Sequence, residues 1–201
     1  MSALPISHRA TTIRRPRLSR VLRGVVALSV AALAVLLLLQ NYQVRALESK
    51  LLALWLSPLL PNGVSSSDTR FLITIPSGQL VAFDITQECT VLLLLMPVLG
   101  LSAFLLAFTK IGWLRAGLGL LVAAFSVLLV NQLRLAVIAL TTQIWGIDFG
   151  YPLGHRFIGS VLALIGFALG FLIVLLIAFK PGKSRRRQGR AAISNNSGEQ
   201  T

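Results

Sequence analysis

Four long apolar runs constrain this chain more than anything else in it. Val21 to Leu39, Cys89 to Phe108, Ala116 to about Thr141, and His155 to Phe179 are each almost free of charge. Uninterrupted apolar stretches of about 18 residues or more are long enough to cross the hydrocarbon core of a bilayer. The composition agrees: 55% of the residues are hydrophobic and only 12% charged, about half the charged share of a soluble domain. The expected fold is an all-α integral membrane protein of about four transmembrane helices. Residues 21–180 form its single membrane domain, with no room for a second globular unit.

The segments between the runs carry the rest of the expected architecture. Residues 1–20 are a basic cytoplasmic arm. The run after them is longer than the apolar core of a signal peptide and lacks an A-x-A-like cleavage site, so it reads as a signal anchor. Residues 41–88 form the longest non-spanning segment. In its first part, Val44 to Leu60, Arg45, Glu48 and Lys50 interrupt a row of leucines. That pattern predicts an interfacial helix with Trp55 at headgroup depth, ended by Pro58 and Pro61. Residues 61–67 (PNGVSSS) have loop composition. Phe71 to Ile75 and Leu80 to Ile85 then alternate around Pro76-Ser77-Gly78-Gln79, which predicts a small β-hairpin. Pro97 is expected to kink the second span. Lys110 to Arg115 and Thr142 to Gly154 read as short loops. Residues 181–201 read as a basic, disordered cytoplasmic tail.

Charge sets the orientation. Of the 19 Lys and Arg residues, only Arg45, Lys50, Arg70, Arg134 and Arg156 fall on the side opposite the termini. Positive charge gathers on the cytoplasmic side of membrane proteins, so both termini are expected in the cytoplasm of a multi-pass plasma-membrane protein. The net charge of +13 therefore implies contact with anionic lipid. Nucleic acid is not an expected partner, because no binding motif accompanies the basic ends. The lone cysteine excludes an internal disulfide and a Cys-rich metal site, and no cofactor or metal is expected.

Ionisable and nucleophilic side chains within or beside membrane spans mark function. Cys89 opens the second run, with Glu88 before it; Arg134 lies towards the same end of the third, in Asn131-Gln132-Leu133-Arg134; and His155 opens the fourth. All fall at one expected depth, although the spans were assigned from hydropathy and loop charge alone. Each has a plain structural alternative: Cys89 as a small packing residue, His155 wetted by headgroups, Arg134 snorkelling. Together they suffice for thiol chemistry. A thiolate attacks a carbonyl, an imidazole takes and returns the proton, and a guanidinium stabilises the thiolate or the oxyanion.

At these residues the sequence resembles the exosortase/archaeosortase family of membrane sorting enzymes. The resemblance rests on Glu88-Cys89-Thr90, on Asn131-x-x-Arg134 followed by Leu135, and on His155-Arg156-Phe157-Ile158-Gly159, in that order and topology, over about Gln87 to Ala178. Thr90 and Val91 stand where the family often has serine and glycine. The resemblance implies a cysteine peptidase or transpeptidase acting on secreted proteins that end in a short motif, a transmembrane helix and a basic cluster. By that likeness Cys89 is the nucleophile, His155 the general base and acid, and Arg134 the thiolate or oxyanion stabiliser. Asn131 and Glu88 are supporting candidates.

Gly166 and Gly170 permit close helix approach, read as internal packing rather than homodimerisation. The hairpin runs directly into Cys89. Strand addition to its edge competes there with a plain structural lid, which is the favoured reading. The alternative to an enzyme is a non-enzymatic scaffold or assembly subunit of a cell-surface polymer export system. A transporter ranks last, because the opposite halves of the spans lack ionisable residues.

Overall fold

The computed structural model describes residues 16–60, 63–75, 77–109 and 112–179. The expected arm up to residue 15 and the tail from residue 180 lie outside the described residues, as do Pro61, Asn62, Pro76, Lys110 and Ile111. Five α-helices and a three-stranded antiparallel sheet follow in the order α1 (Pro16–Leu39), α2 (Asn41–Leu56), β1 (Val64–Ser67), β2 (Arg70–Thr74), β3 (Leu80–Asp84), α3 (Val91–Phe108), α4 (Trp113–Trp145) and α5 (Gly159–Phe179). Two π-helical segments, Gly146–Gly150 and Leu153–Ile158, join α4 to α5. Helices α1 and α3, and the two stretches Trp113–Gly150 and Leu153–Phe179, are long and apolar enough to cross a membrane. Their outward faces carry exposed Leu28, Leu121, Leu164 and Leu176. Apolar side chains can stay there because lipid, not water, is the solvent. The chain is a multi-pass membrane protein.

Several boundaries differ from the sequence expectation. The first helix begins at Pro16 rather than Val21; proline is well suited to a first helical turn, where its missing N–H is not needed. The second span begins at Val91, so Cys89 lies in the turn before it. Pro97 sits inside α3, which continues through it.

The expected loop over residues 61–67 is partly wrong. Val64–Ser67 pairs with Arg70–Ile73 as a strand, turned at Asp68, whose φ of 53° is positive. Its serines hid it, since only Val64 needs an apolar partner. The expected loop Thr142–Gly154 is also wrong: it is helical almost throughout, as the end of α4 and the two π segments. Its glycines are required by contact rather than by looping. A β-carbon on Gly150 would strike the Thr141 carbonyl, and one on Gly154 would strike the Thr141 hydroxyl.

Three apolar clusters hold the fold. One joins α1 to α3. A second lies among α3, α4 and α5. There a β-carbon on Gly166 would lie 2.9 Å from Val130, and one on Gly170 2.6 Å from Val127, so these glycines serve internal packing. The third cluster is under the sheet: Phe71, Ile73 and Ile75 meet Leu52 and Leu56 of α2, Leu135, Ala136 and Ala139 of α4, and Cys89. The two-residue alternation of β2 puts its apolar side chains on that face. Helix α2 pins the sheet from behind, with Ser49 donating to the Arg70 carbonyl at 2.6 Å and Arg45 to the Ile85 carbonyl at 3.0 Å. Its opposite face exposes Leu47, Leu51 and Leu54.

Candidate active site

The sheet, the turn before α3, the sheet-side half of α4 and the second π segment converge at one end of the bundle. Cys89 Sγ lies 3.6 Å from His155 Nδ1 and 3.8 Å from Arg134 Nη2. Three residues separated by 45 and 66 positions thus meet at one sulfur atom. Cys89 is buried yet lines a cleft of about 250 Å³, with His155, Tyr151, Phe83, Ala82 and Asp84 around it.

Each partner is positioned by a second contact. Arg134, 6% exposed, donates through Nη1 to the Glu88 carbonyl at 3.1 Å. Asn131, one helical turn earlier on the same face, donates through Nδ2 to the Cys89 carbonyl at 3.1 Å. Helix α4 therefore grips the two carbonyls flanking the sulfur. The Glu88 side chain, by contrast, is exposed; its backbone contributes, and its carboxylate does not make this contact. Gly159 lets the start of α5 approach Arg134, since a β-carbon there would lie 3.3 Å from Arg134 Nε.

His155 is held by stacking. Its ring lies 5.2 Å from that of Tyr151, with 4° between the planes. Tyr151 stacks on Phe83 at 5.4 Å and Phe83 on Phe71 at 5.3 Å. This column runs from the sheet to the imidazole. Burial, and then the neighbouring Cys89, push the Tyr151 hydroxyl above its ordinary range, so the stacked ring stays neutral.

Sequence reasoning missed Glu48. It is 2% exposed and its carboxylate takes three donors: Thr90 Oγ1 at 2.6 Å, the Val91 amide at 2.8 Å and Asn131 Nδ2 at 2.6 Å. Burial pushes its carboxyl above the ordinary range, against the pull of those donors and of Arg134. Its position held a signal. Glu48, Leu52 and Leu56 recur every four residues and share one helix face, so a charge stood on the buried side of α2. Gln132 was missed too; it ties α4 to α2, accepting from Trp55 Nε1 at 3.1 Å and donating to the Glu48 carbonyl at 3.4 Å. Among the described residues, no group of three or more His, Cys, Asp and Glu side chains is placed to hold a metal.

Residues 12–176 match the family model described as Transmembrane exosortase (Exosortase_EpsH). No curated protein and no solved structure matches the chain. The family match spans α1 to α4, the sheet, most of α5, and Cys89, Arg134 and His155. The chain belongs to the transmembrane exosortase family of membrane sorting enzymes.

Proposed function

We propose that the chain is a cysteine peptidase or transpeptidase that processes C-terminally anchored secreted proteins at the extracytoplasmic membrane face. The observation that carries this reading is the meeting of an imidazole and a guanidinium at one sulfur on a cleft wall. The side of the membrane follows from the basic termini, which belong in the cytoplasm.

The chemistry runs in two halves. His155 Nδ1 takes the thiol proton, and Sγ adds to the carbonyl carbon of the scissile peptide. Arg134 stabilises first the thiolate, then the oxyanion. The C–N bond breaks as the imidazolium returns its proton to the leaving amine, and a thioester on Cys89 remains. A water molecule, deprotonated by His155, releases a free carboxylate. An acceptor amine attacking instead forms a new amide. The family's substrates are expected to present a short motif, a transmembrane helix and a basic cluster.

Cys89→Ala and Cys89→Ser test this directly. Both should accumulate uncleaved, membrane-anchored precursor while the enzyme is still expressed. Normal processing in either variant would remove the cysteine from the reaction and favour the scaffold reading.

A further inference from the structure

Strand β3 is paired on one side only. The sheet order is β1-β2-β3. Strand β1 packs against α2, whereas no strand pairs with the outer side of β3 among the described residues. The register says which atoms face outwards. Ile75 bonds Gln79 at 3.0 Å and Ile85 bonds Thr69 at 2.9 Å, at the two ends of the β2–β3 ladder. Bonded and non-bonded pairs alternate in an antiparallel ladder. Val81 and Phe83 therefore turn their N–H and C=O groups towards β2, and Leu80, Ala82 and Asp84 turn theirs away from it. Ala82 and Asp84 also line the cleft that contains Cys89 and His155.

Open edges are hazardous, and proteins usually blunt them with lysine, proline or a covering element. Within Leu80–Asp84 there is no lysine and no proline, and only Asp84 is charged. The edge is thus an unprotected row of donors and acceptors beside a thiol. An extended polypeptide satisfies such a row through its own main chain, with affinity largely independent of its sequence.

We propose that the free edge of β3 takes an extended segment of the protein substrate as a fourth strand and so draws the scissile peptide across Cys89. This rests on the peptidase reading above. It assigns Ala82 and Asp84 as main-chain docking positions, and makes the sheet a substrate-binding element rather than a lid.

The test uses a backbone change that spares the existing sheet. Ala82→Pro deletes an outward-facing N–H, and an edge strand tolerates proline there. The readout is cleavage of the precursor that accumulates in cells carrying Cys89→Ala, using full-length enzyme in nanodiscs. Alkylation of Cys89 by a small maleimide reports that the site is intact. Ala82→Pro should cleave at least about tenfold more slowly, the size expected for lost main-chain pairing. Alkylation of Cys89 should be unchanged.

Wild-type cleavage by Ala82→Pro would overturn strand addition. Should Ala82→Pro misfold, the peptide spanning the precursor's cleavage region, N-methylated one residue at a time, decides the matter. Loss at alternate positions supports a paired strand, and loss at none, or without alternation, refutes it. Cys89→Ala run in parallel separates the two ideas. Cleavage by that variant sinks the peptidase chemistry, whereas an inactive Cys89→Ala beside a normal Ala82→Pro sinks only the docking mode.

Discussion

Replacing Glu48 with alanine should damage the fold and the site together, by an amount the hydrogen bonds allow to be worked out. The carboxylate accepts from Thr90 Oγ1, the Val91 amide and Asn131 Nδ2. In Glu48→Ala the Val91 N–H loses its acceptor. Asn131 keeps the Cys89 carbonyl, and Thr90 keeps only its contact with the Leu92 amide. Orphaned buried polar groups cost about 1–3 kcal/mol each. With the cavity left by the side chain, the loss should be about 3–5 kcal/mol, or a fall in Tm of about 10 °C at this chain length. Glu48→Gln keeps an acceptor for Val91 and Asn131 and turns its amide towards a hydroxyl that can rotate to accept. Its loss should be near 1 kcal/mol. Thermal unfolding of both variants in one detergent measures the contrast. The pH dependence has a definite sign. Burial raises this carboxyl in the folded protein, so the folded state holds a proton that the unfolded state has released. Stability should fall as pH rises from the ordinary carboxylate range through the raised value, then level off. That slope should be absent from the stability curve of Glu48→Gln. Alanine and glutamine variants of equal stability, or an alanine variant as stable as wild type, would refute this account of the carboxylate.

Arg134→Lys should reduce precursor cleavage by at least about a hundredfold, because an ammonium cannot hold the Glu88 carbonyl and the Cys89 sulfur with one planar fork; retained cleavage would reduce Arg134 to a simple charge. Gly154→Ala should press against the Thr141 hydroxyl and against Ile138, whose Cα would lie 3.0 Å from the new β-carbon. We expect a loss of about 1–3 kcal/mol and slower alkylation of Cys89, read by thermal unfolding and by mass shift, since His155 is the next residue.

The spans and the three residues that meet at Cys89 were legible for the same reason. In a chain this apolar, a polar side chain inside or beside a span stands out, and hydropathy fixes its depth. What escaped was decided by tertiary contact. Glu48 read as one more charge on an amphipathic helix, because its three donors come from residues 42 to 83 positions away. The strand at Val64–Ser67 read as a loop because only one of its residues is buried. The connector after α4 read as a loop because Gly146, Gly150, Pro152 and Gly154 look like breakers. Two of these glycines are instead sites where backbone lies directly on α4. Distance in sequence hides such contacts, and composition misreports them.

The ring column over His155 limits how that imidazole can turn. A 4° angle to Tyr151 fixes the plane of the ring, yet a half-turn about its outer torsion leaves that plane unchanged. Stacking therefore removes tilt but not the choice between the two edges of the ring; only the sulfur contact at Nδ1 marks one edge as the inner one. The plane itself owes nothing to the thiol. With Cys89 acylated and its proton gone, the imidazole would still lie flat on Tyr151, its remaining freedom a single swivel about one bond.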